Sequence, residues 1–197
     1  MRDIDIRAAL RVEMEAVHEG DPDTLILEEM GLCQGIARVD VAVVNGSLHG
    51  YEIKSDRDTL ARLPAQAEIY NRVFDFVTIV TGRNHERKVA DSVPQWWGIS
   101  IAVPNRTGLK LHTRRRARRN KQLNPLSLVQ LLWREETLLA LAQLGLAEGL
   151  KSKKRDILWT RLVESVDLTT LSSIVREAIK RRVASVEGSS PQQLCGG

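Results

Sequence analysis

Apolar residues recur at close to one helical turn along the start of the chain. Ile4, Ile6, Leu10, Met14 and Val17 predict an opening helix over residues 3–17. The polar stretch 18–23 breaks it. Three short apolar runs follow, over 24–32, 37–44 and 48–54. Asn45-Gly46 separates the second from the third, a strong signal for a hairpin, so at least two of these strands are antiparallel. Helical periodicity returns from Leu60 to Phe74, with Asp58 or Thr59 as cap. Pro64 inside it marks either a kink or a delayed start. Residues 76–81 (FVTIVT) read as a buried strand parallel to its neighbour. A short helix over 86–93 and a strand over 98–103 complete an α/β domain with a mixed sheet, ending near Pro104.

From Asn124-Pro125, a cap followed by a first helical position, the pattern is helical only. The last helix, over 169–183, has Asp167 as its cap. The expected organisation is therefore a core over 1–104, a linker over 105–123, a small all-helical region over 124–184 and a flexible tail over 185–197.

With 43% hydrophobic residues the chain can bury a real core. No apolar run approaches the ~20 residues that span a bilayer, and charges interrupt the N-terminal stretch as they would not in a signal peptide. A soluble, cytoplasmic protein without a membrane partner is expected. Cys33 and Cys195 are too few and too far apart for a disulfide framework. Net charge is only +4, but it is unevenly spread. Arg114, Arg115, Arg116, Arg118, Arg119 and Lys121 lie together without an acid among them, and Lys151, Lys153, Lys154 and Arg155 form a second block. Such blocks suit a polyanion such as DNA, or are a solvated linker and loop.

The chemistry centres on Asp40 and on Glu52-Ile53-Lys54. Alternate residues of a strand share a face, so Glu52 and Lys54 point the same way. The hairpin returns Asp40, twelve positions earlier, beside them. Two carboxylates about 4 Å apart repel by roughly 4 kcal/mol at an effective dielectric near 20. A lysine relieves part of that, and a hard divalent cation relieves more. The bland alternative is a surface strand with alternating charges. Trp96 and Trp97 either stack on bases or pack the edge of the sheet. His49 and His85 have no partner spacing.

This constellation resembles the PD-(D/E)XK nuclease superfamily, in which an Asp precedes Glu-x-Lys on adjacent strands of an αβββαβ, restriction-endonuclease-like core. Gln66 and Tyr70, one turn apart on the next helix, resemble the Gln-x-x-x-Tyr of members related to the RecB nuclease. A small bacterial family of PD-(D/E)XK-like proteins is similar more widely, through RVDVAVVNGSLHGYEIKSDRDTLARLPAQ, the Pro-x-Trp-Trp-Gly of residues 94–98 and SLVQLLWREE. The proline-aspartate of the superfamily's name is missing, since Arg38 and Val39 precede Asp40.

The resemblance implies a Mg²⁺-dependent nuclease, with Mn²⁺ able to substitute, hydrolysing DNA in repair, mobile-element or defence settings. Asp40 and Glu52 would be metal ligands, Lys54 would sit at the attacking water, and Gln66 and Tyr70 would support it. Glu29 is the first choice for a further upstream acid, with Glu28 and then Glu15 behind it. Residues 138–163 resemble a SAP-type DNA-binding module, or are a plain helical hairpin. DNA is the implied partner, and a second copy of the chain the oligomeric one. A catalytically silent DNA-binding protein and a ribonuclease are the competing readings. For an exposed lysine, Lys54→Ala is expected to leave the melting temperature nearly unchanged. Asp40→Ala is expected to raise stability by relieving carboxylate repulsion.

Overall fold

The computed structural model describes residues 1–106 and 108–187. The chain divides into two compact units, Met1–Ser127 and Leu128–Gly197. The first opens with α1 (Asp3–Val17), β1 (Leu25–Leu32), β2 (Ala37–Val44) and β3 (Leu48–Lys54). It continues with α2 (Leu63–Val73), β4 (Phe76–Gly82), α3 (Glu86–Ser92), β5 (Gly98–Asn105) and β6 (Gly108–Arg115). One six-stranded sheet carries the strands in chain order, an α/β architecture. β1–β2, β2–β3 and β5–β6 are antiparallel, and the helical crossovers make β3–β4 and β4–β5 parallel.

The central strands are buried on both faces because helices cover both. Ile6, Leu10 and Met14 of α1 pack with Val41, Val43, Tyr51, Ile53 and Val80 on one face. On the other, Leu63, Ala67, Tyr70 and Val73 form the buried stripe of α2. Gly50 of β3 lies under the Phe74 ring, where a Cβ would come within 2.9 Å of it. The absent side chain lets the end of α2 sit close to the strand. Trp97 is fully buried, stacks near Tyr70 at 6.0 Å and donates its indole N–H to Asn71 Oδ1. Of its two readings, packing holds.

In the first unit, two boundaries differ from the sequence expectation. α2 starts at Leu63, so Pro64 falls in the first turn, and Asp58 caps no helix. Its carboxylate instead accepts the Ser55 N–H at 2.7 Å and closes the turn after β3. The stretch read as a basic linker is not one. β6 extends the sheet beyond Pro104, and the segment after it is tied down residue by residue. Arg118 N–H donates to Trp96 O, Asn120 N–H to Asp75 O and Asn124 N–H to Arg72 O. The buried Asn120 carboxamide donates to the Asn71 and Phe74 carbonyls that α2 leaves unsatisfied at its end.

α4 (Pro125–Val129) begins where expected, with Asn124 Oδ1 accepting the Ser127 N–H. The second unit holds α5 (Arg134–Gln143), α6 (Arg155–Ser165) and α7 (Leu168–Glu187). Asp167 caps α7 through the Thr170 N–H at 2.8 Å. Its core is Leu141, Leu158, Trp159, Leu162, Leu171 and Val175. The expected tail begins inside α7, and residues 188–197 lie outside those described. No described helix is long and apolar enough to cross a membrane.

Candidate active site

Even-numbered residues of β3 face α2, and this places Glu52 and Lys54 under it. Both are buried, at 2% and 5% exposure. Lys54 Nζ donates to Glu52 Oε1 at 2.6 Å and to Gln66 Oε1 at 3.0 Å. Gln66 Nε2 donates to the same Glu52 oxygen at 2.7 Å, and Tyr70 O–H reaches Glu52 Oε2 at 2.6 Å. Both oxygens of Glu52 are therefore satisfied from α2 and from its own strand. Burial pushes the Glu52 carboxyl above its ordinary range, Lys54 opposes that, and the Asp40 charge adds to it. Burial likewise raises the Tyr70 phenol, reinforced by Glu52, so Tyr70 stays a donor.

Asp40 joins this group through a split in the sheet. The β2–β3 register runs from Val44↔Leu48 to Val41↔Tyr51 and stops. Beyond it Asp40 Oδ2 accepts the Ile53 N–H at 2.7 Å. Its other oxygen accepts Arg7 Nη2 at 2.9 Å, and Arg7 Nη1 donates to the Asp40 carbonyl at 3.0 Å. Arg7 comes from α1 and also pairs with Asp3 at 3.4 Å. Burial works against the Arg7 charge, but Asp40 and Asp3 outweigh it and raise its pKa.

These residues border a cleft of about 600 Å³, lined among others by Asp3, Asp40, Glu52, Lys54, Asp58 and Gln66. The five central residues of the sequence reading are thus brought together: Asp40, Glu52, Lys54, Gln66 and Tyr70. Glu29 is not among the residues lining the cleft. Its backbone is left-handed, at φ 55°, and its carboxylate pairs with Arg38 at 3.0 Å, both side chains at least half exposed. Glu28 and Glu15 share Arg11 on the exposed side of α1. The upstream acid at the cleft is Asp3. An Asp-x-x-x-Arg pair at a helix start was the available signal, but the same spacing serves ordinary ion pairs on helix surfaces.

The basic run lies elsewhere. Arg115 sits opposite Ile99, level with Ile79 and Glu52 but three strands away. The run continues from there toward the start of β4, where His49 pairs with Phe76 and Arg119 lies over that ring, whereas Lys54 pairs with Thr81 at the other end. From His49 to Lys54 is about 16 Å along the strand at ~3.3 Å per residue. Nor are the arginines equivalent. Arg115 donates to Trp97 O, Pro94 O and Gln95 Oε1, Arg119 pairs with buried Asp75, and Arg114 meets Glu86. Arg116 and Arg118 are exposed. Lys153 and Lys154 are exposed in the turn before α6, where Arg134 donates to the Lys151 and Lys153 carbonyls.

The donor chemistry fits a hard divalent cation, since Asp40 and Glu52 offer carboxylate oxygens at one cleft with Asp3 and Asp58 on its wall. Among the described residues, however, no three His, Cys, Asp or Glu side chains are gathered for a metal. The reason is geometric: Glu52 turns to Lys54, Gln66 and Tyr70, while Asp40 turns to Arg7.

Comparison with known proteins places the chain. It belongs to the bacteriophage P4 protein cII family, matching that family over residues 4–189. It is 29% identical over 174 residues to Protein cII of Enterobacteria phage P4, across 88% of this chain and 65% of that relative's length. A solved structure of a protein of unknown function from Silicibacter pomeroyi aligns at a TM-score of 0.46 and 20% identity. The alignment covers 78% of this chain and 99% of that one.

Proposed function

We propose that this chain is a divalent-metal-dependent phosphodiesterase acting on DNA, built on a restriction-endonuclease-like αβββαβ core with a PD-(D/E)XK active site. One observation carries the reading: a lysine and a glutamate are buried together, two residues apart, on the wall of an open cleft. Burying such a pair costs several kcal/mol per ion in desolvation, so it is a poor stabilising device. Perturbed carboxyls lining a cleft are candidates for chemistry.

Asp40 and Glu52 would hold the cation, Mg²⁺ or Mn²⁺. When bound, it supplies charge neutralisation at the scissile phosphate and lowers the pKa of water. Lys54, released from Glu52, positions the attacking water and faces the charge that develops on phosphorus. Gln66 holds the lysine's free end, and Tyr70 keeps Glu52 oriented from α2. The helical second unit, with Lys153 and Lys154 exposed, is proposed as the SAP-like, phosphate-contacting part.

The test is incubation of the purified chain with linear, circular and single-stranded DNA and with RNA, in Mg²⁺, Mn²⁺ or EDTA, beside Glu52→Gln. Metal-dependent cleavage of DNA that Glu52→Gln loses supports the reading. A second reading, a catalytically silent DNA-binding protein, draws on every Asp40 and Glu52 oxygen already accepting a hydrogen bond within the chain. It predicts binding without cleavage under all these conditions.

A further inference from the structure

Arg7 holds the position of a cation. Its guanidinium spans Asp3 Oδ1, Asp40 Oδ1 and the Asp40 carbonyl, at 3.4, 2.9 and 3.0 Å. Its side chain is only 18% exposed, although Asp3 and Asp40 keep 44% and 23%. A divalent ion reaching Asp40 from the cleft therefore meets a carboxylate with one oxygen bonded to Arg7 and the other to the Ile53 N–H. The Ile53 donor is a backbone N–H of β3 and is fixed by the strand. The Arg7 bond comes from a side chain, and that one can be exchanged.

We propose that Arg7 is the resident counter-cation of Asp40, and that a divalent metal enters this cleft only by displacing it. Arg7 is thus a positioning residue that sets metal affinity. Without metal it neutralises Asp3 and Asp40 and keeps Asp40 turned toward the split in the sheet. On exchange it gives up the Asp40 oxygen and is free to remain with Asp3 one helical turn away. A guanidinium suits the role because its planar fork takes the carboxylate and the carbonyl of one residue together. Lysine, a single rotatable ammonium, cannot match that geometry.

This inference rests on the metal-dependent reading, and the experiment separates the two. Mn²⁺ binding to the full chain is titrated at fixed neutral pH, following loss of the free-ion electron paramagnetic resonance signal. Wild type, Arg7→Gln, Arg7→Lys and Arg7→Gln/Asp40→Asn are compared after their circular dichroism is matched. Arg7→Gln should bind Mn²⁺ about tenfold more tightly, the order expected when one charge-assisted hydrogen bond no longer has to be given up. Arg7→Lys should fall between it and wild type, and adding Asp40→Asn should erase the gain. If Arg7→Gln does not fold, Arg7→Lys decides by the same sign. Equal or weaker Mn²⁺ binding in the variants, with a wild type that binds Mn²⁺ and cleaves DNA, overturns the exchange alone. No Mn²⁺ bound at millimolar concentration by any of them overturns the exchange and the nuclease reading together.

Discussion

The Lys54 ammonium and the Glu52 carboxylate meet at 2.6 Å with side-chain exposures of 7% and 2%. That contact reverses the expectation of an exposed lysine whose removal costs nothing. Lys54→Met leaves Glu52 buried with Gln66 and Tyr70 but no counter-charge. Removing one partner of a buried pair typically costs about 3–5 kcal/mol. Lys54→Met should therefore unfold at clearly lower urea, and Lys54→Met/Glu52→Gln should recover much of the loss. Additive single-variant losses would mean that the two charges are not coupled.

Asp40→Ala is likewise expected to destabilise rather than stabilise. The carboxylate–carboxylate repulsion inferred from the sequence is screened in the fold, because Arg7 and the Ile53 N–H each take one Asp40 oxygen. Truncation leaves a buried backbone donor without an acceptor and frees Arg7 from its partner. A broken hydrogen bond with an unsatisfied donor costs about 1–3 kcal/mol. A melting temperature at or above wild type would show that repulsion dominates after all.

The strands β2 and β3 and the helix α1 were legible to the residue, because alternation and helical periodicity depend only on which face is buried. The convergence of Asp40, Glu52 and Lys54 was legible for the same reason, from parity along the β2–β3 hairpin. Gln66 and Tyr70 were singled out by the family resemblance instead, helical spacing adding only that they share a face. Arg7 and Asp3 were not, since nothing local says that the polar face of α1 meets the β2–β3 split. Strand β6 was missed because GLKLHTRR has a polar face that a solvent-exposed edge strand requires and a linker shares. The placement of the arginine run, beginning three strands across from Glu52 and leading away from the cleft, follows from β6 and went unseen with it.

That run should now divide under mutation. Arg115→Ala removes donors to Trp97 O, Pro94 O and Gln95 Oε1, and Asn120→Ala uncovers the carbonyls at the end of α2. Both should lower the melting temperature, each by the equivalent of about 1–3 kcal/mol. Arg116→Ala/Arg118→Ala should leave it unchanged. If this end of the sheet tracks DNA, the same pair makes the slope of log affinity against log salt shallower, by up to about 0.9 for each phosphate no longer neutralised. Cleavage at saturating DNA should survive, because neither arginine is among the residues lining the cleft. An unchanged salt slope would remove Arg116 and Arg118 from the DNA path.

His49 sets a pH limit on stability from the other face of the sheet. Its ring stacks on Tyr51 at 4.2 Å, its Nε2 bonds Thr78 Oγ1 at 2.9 Å, and its Nδ1 meets Tyr51 O–H at 3.2 Å. Burial, with a smaller contribution from the His18 charge, pulls its pKa from 6.5 down to about 3. Below pH 6.5 the unfolded chain takes up a proton that the folded chain refuses until about pH 3. Stability should therefore be full above that upper limit and fall as the pH drops through the window. The slope attributable to this one group approaches about 1.4 kcal/mol per pH unit. His49→Gln keeps polar atoms near Thr78 but cannot titrate, so it is expected to be less stable than wild type at pH 7.5. The two should converge as the pH falls toward 4, since only wild type carries the His49 penalty there. Urea unfolding of both chains at pH 4, 5, 6 and 7.5 measures this, and the carboxylates common to both cancel in the difference. Parallel curves would mean that His49 is protonated in the fold, and that the His49–Tyr51–Thr78 chain is not a neutral one.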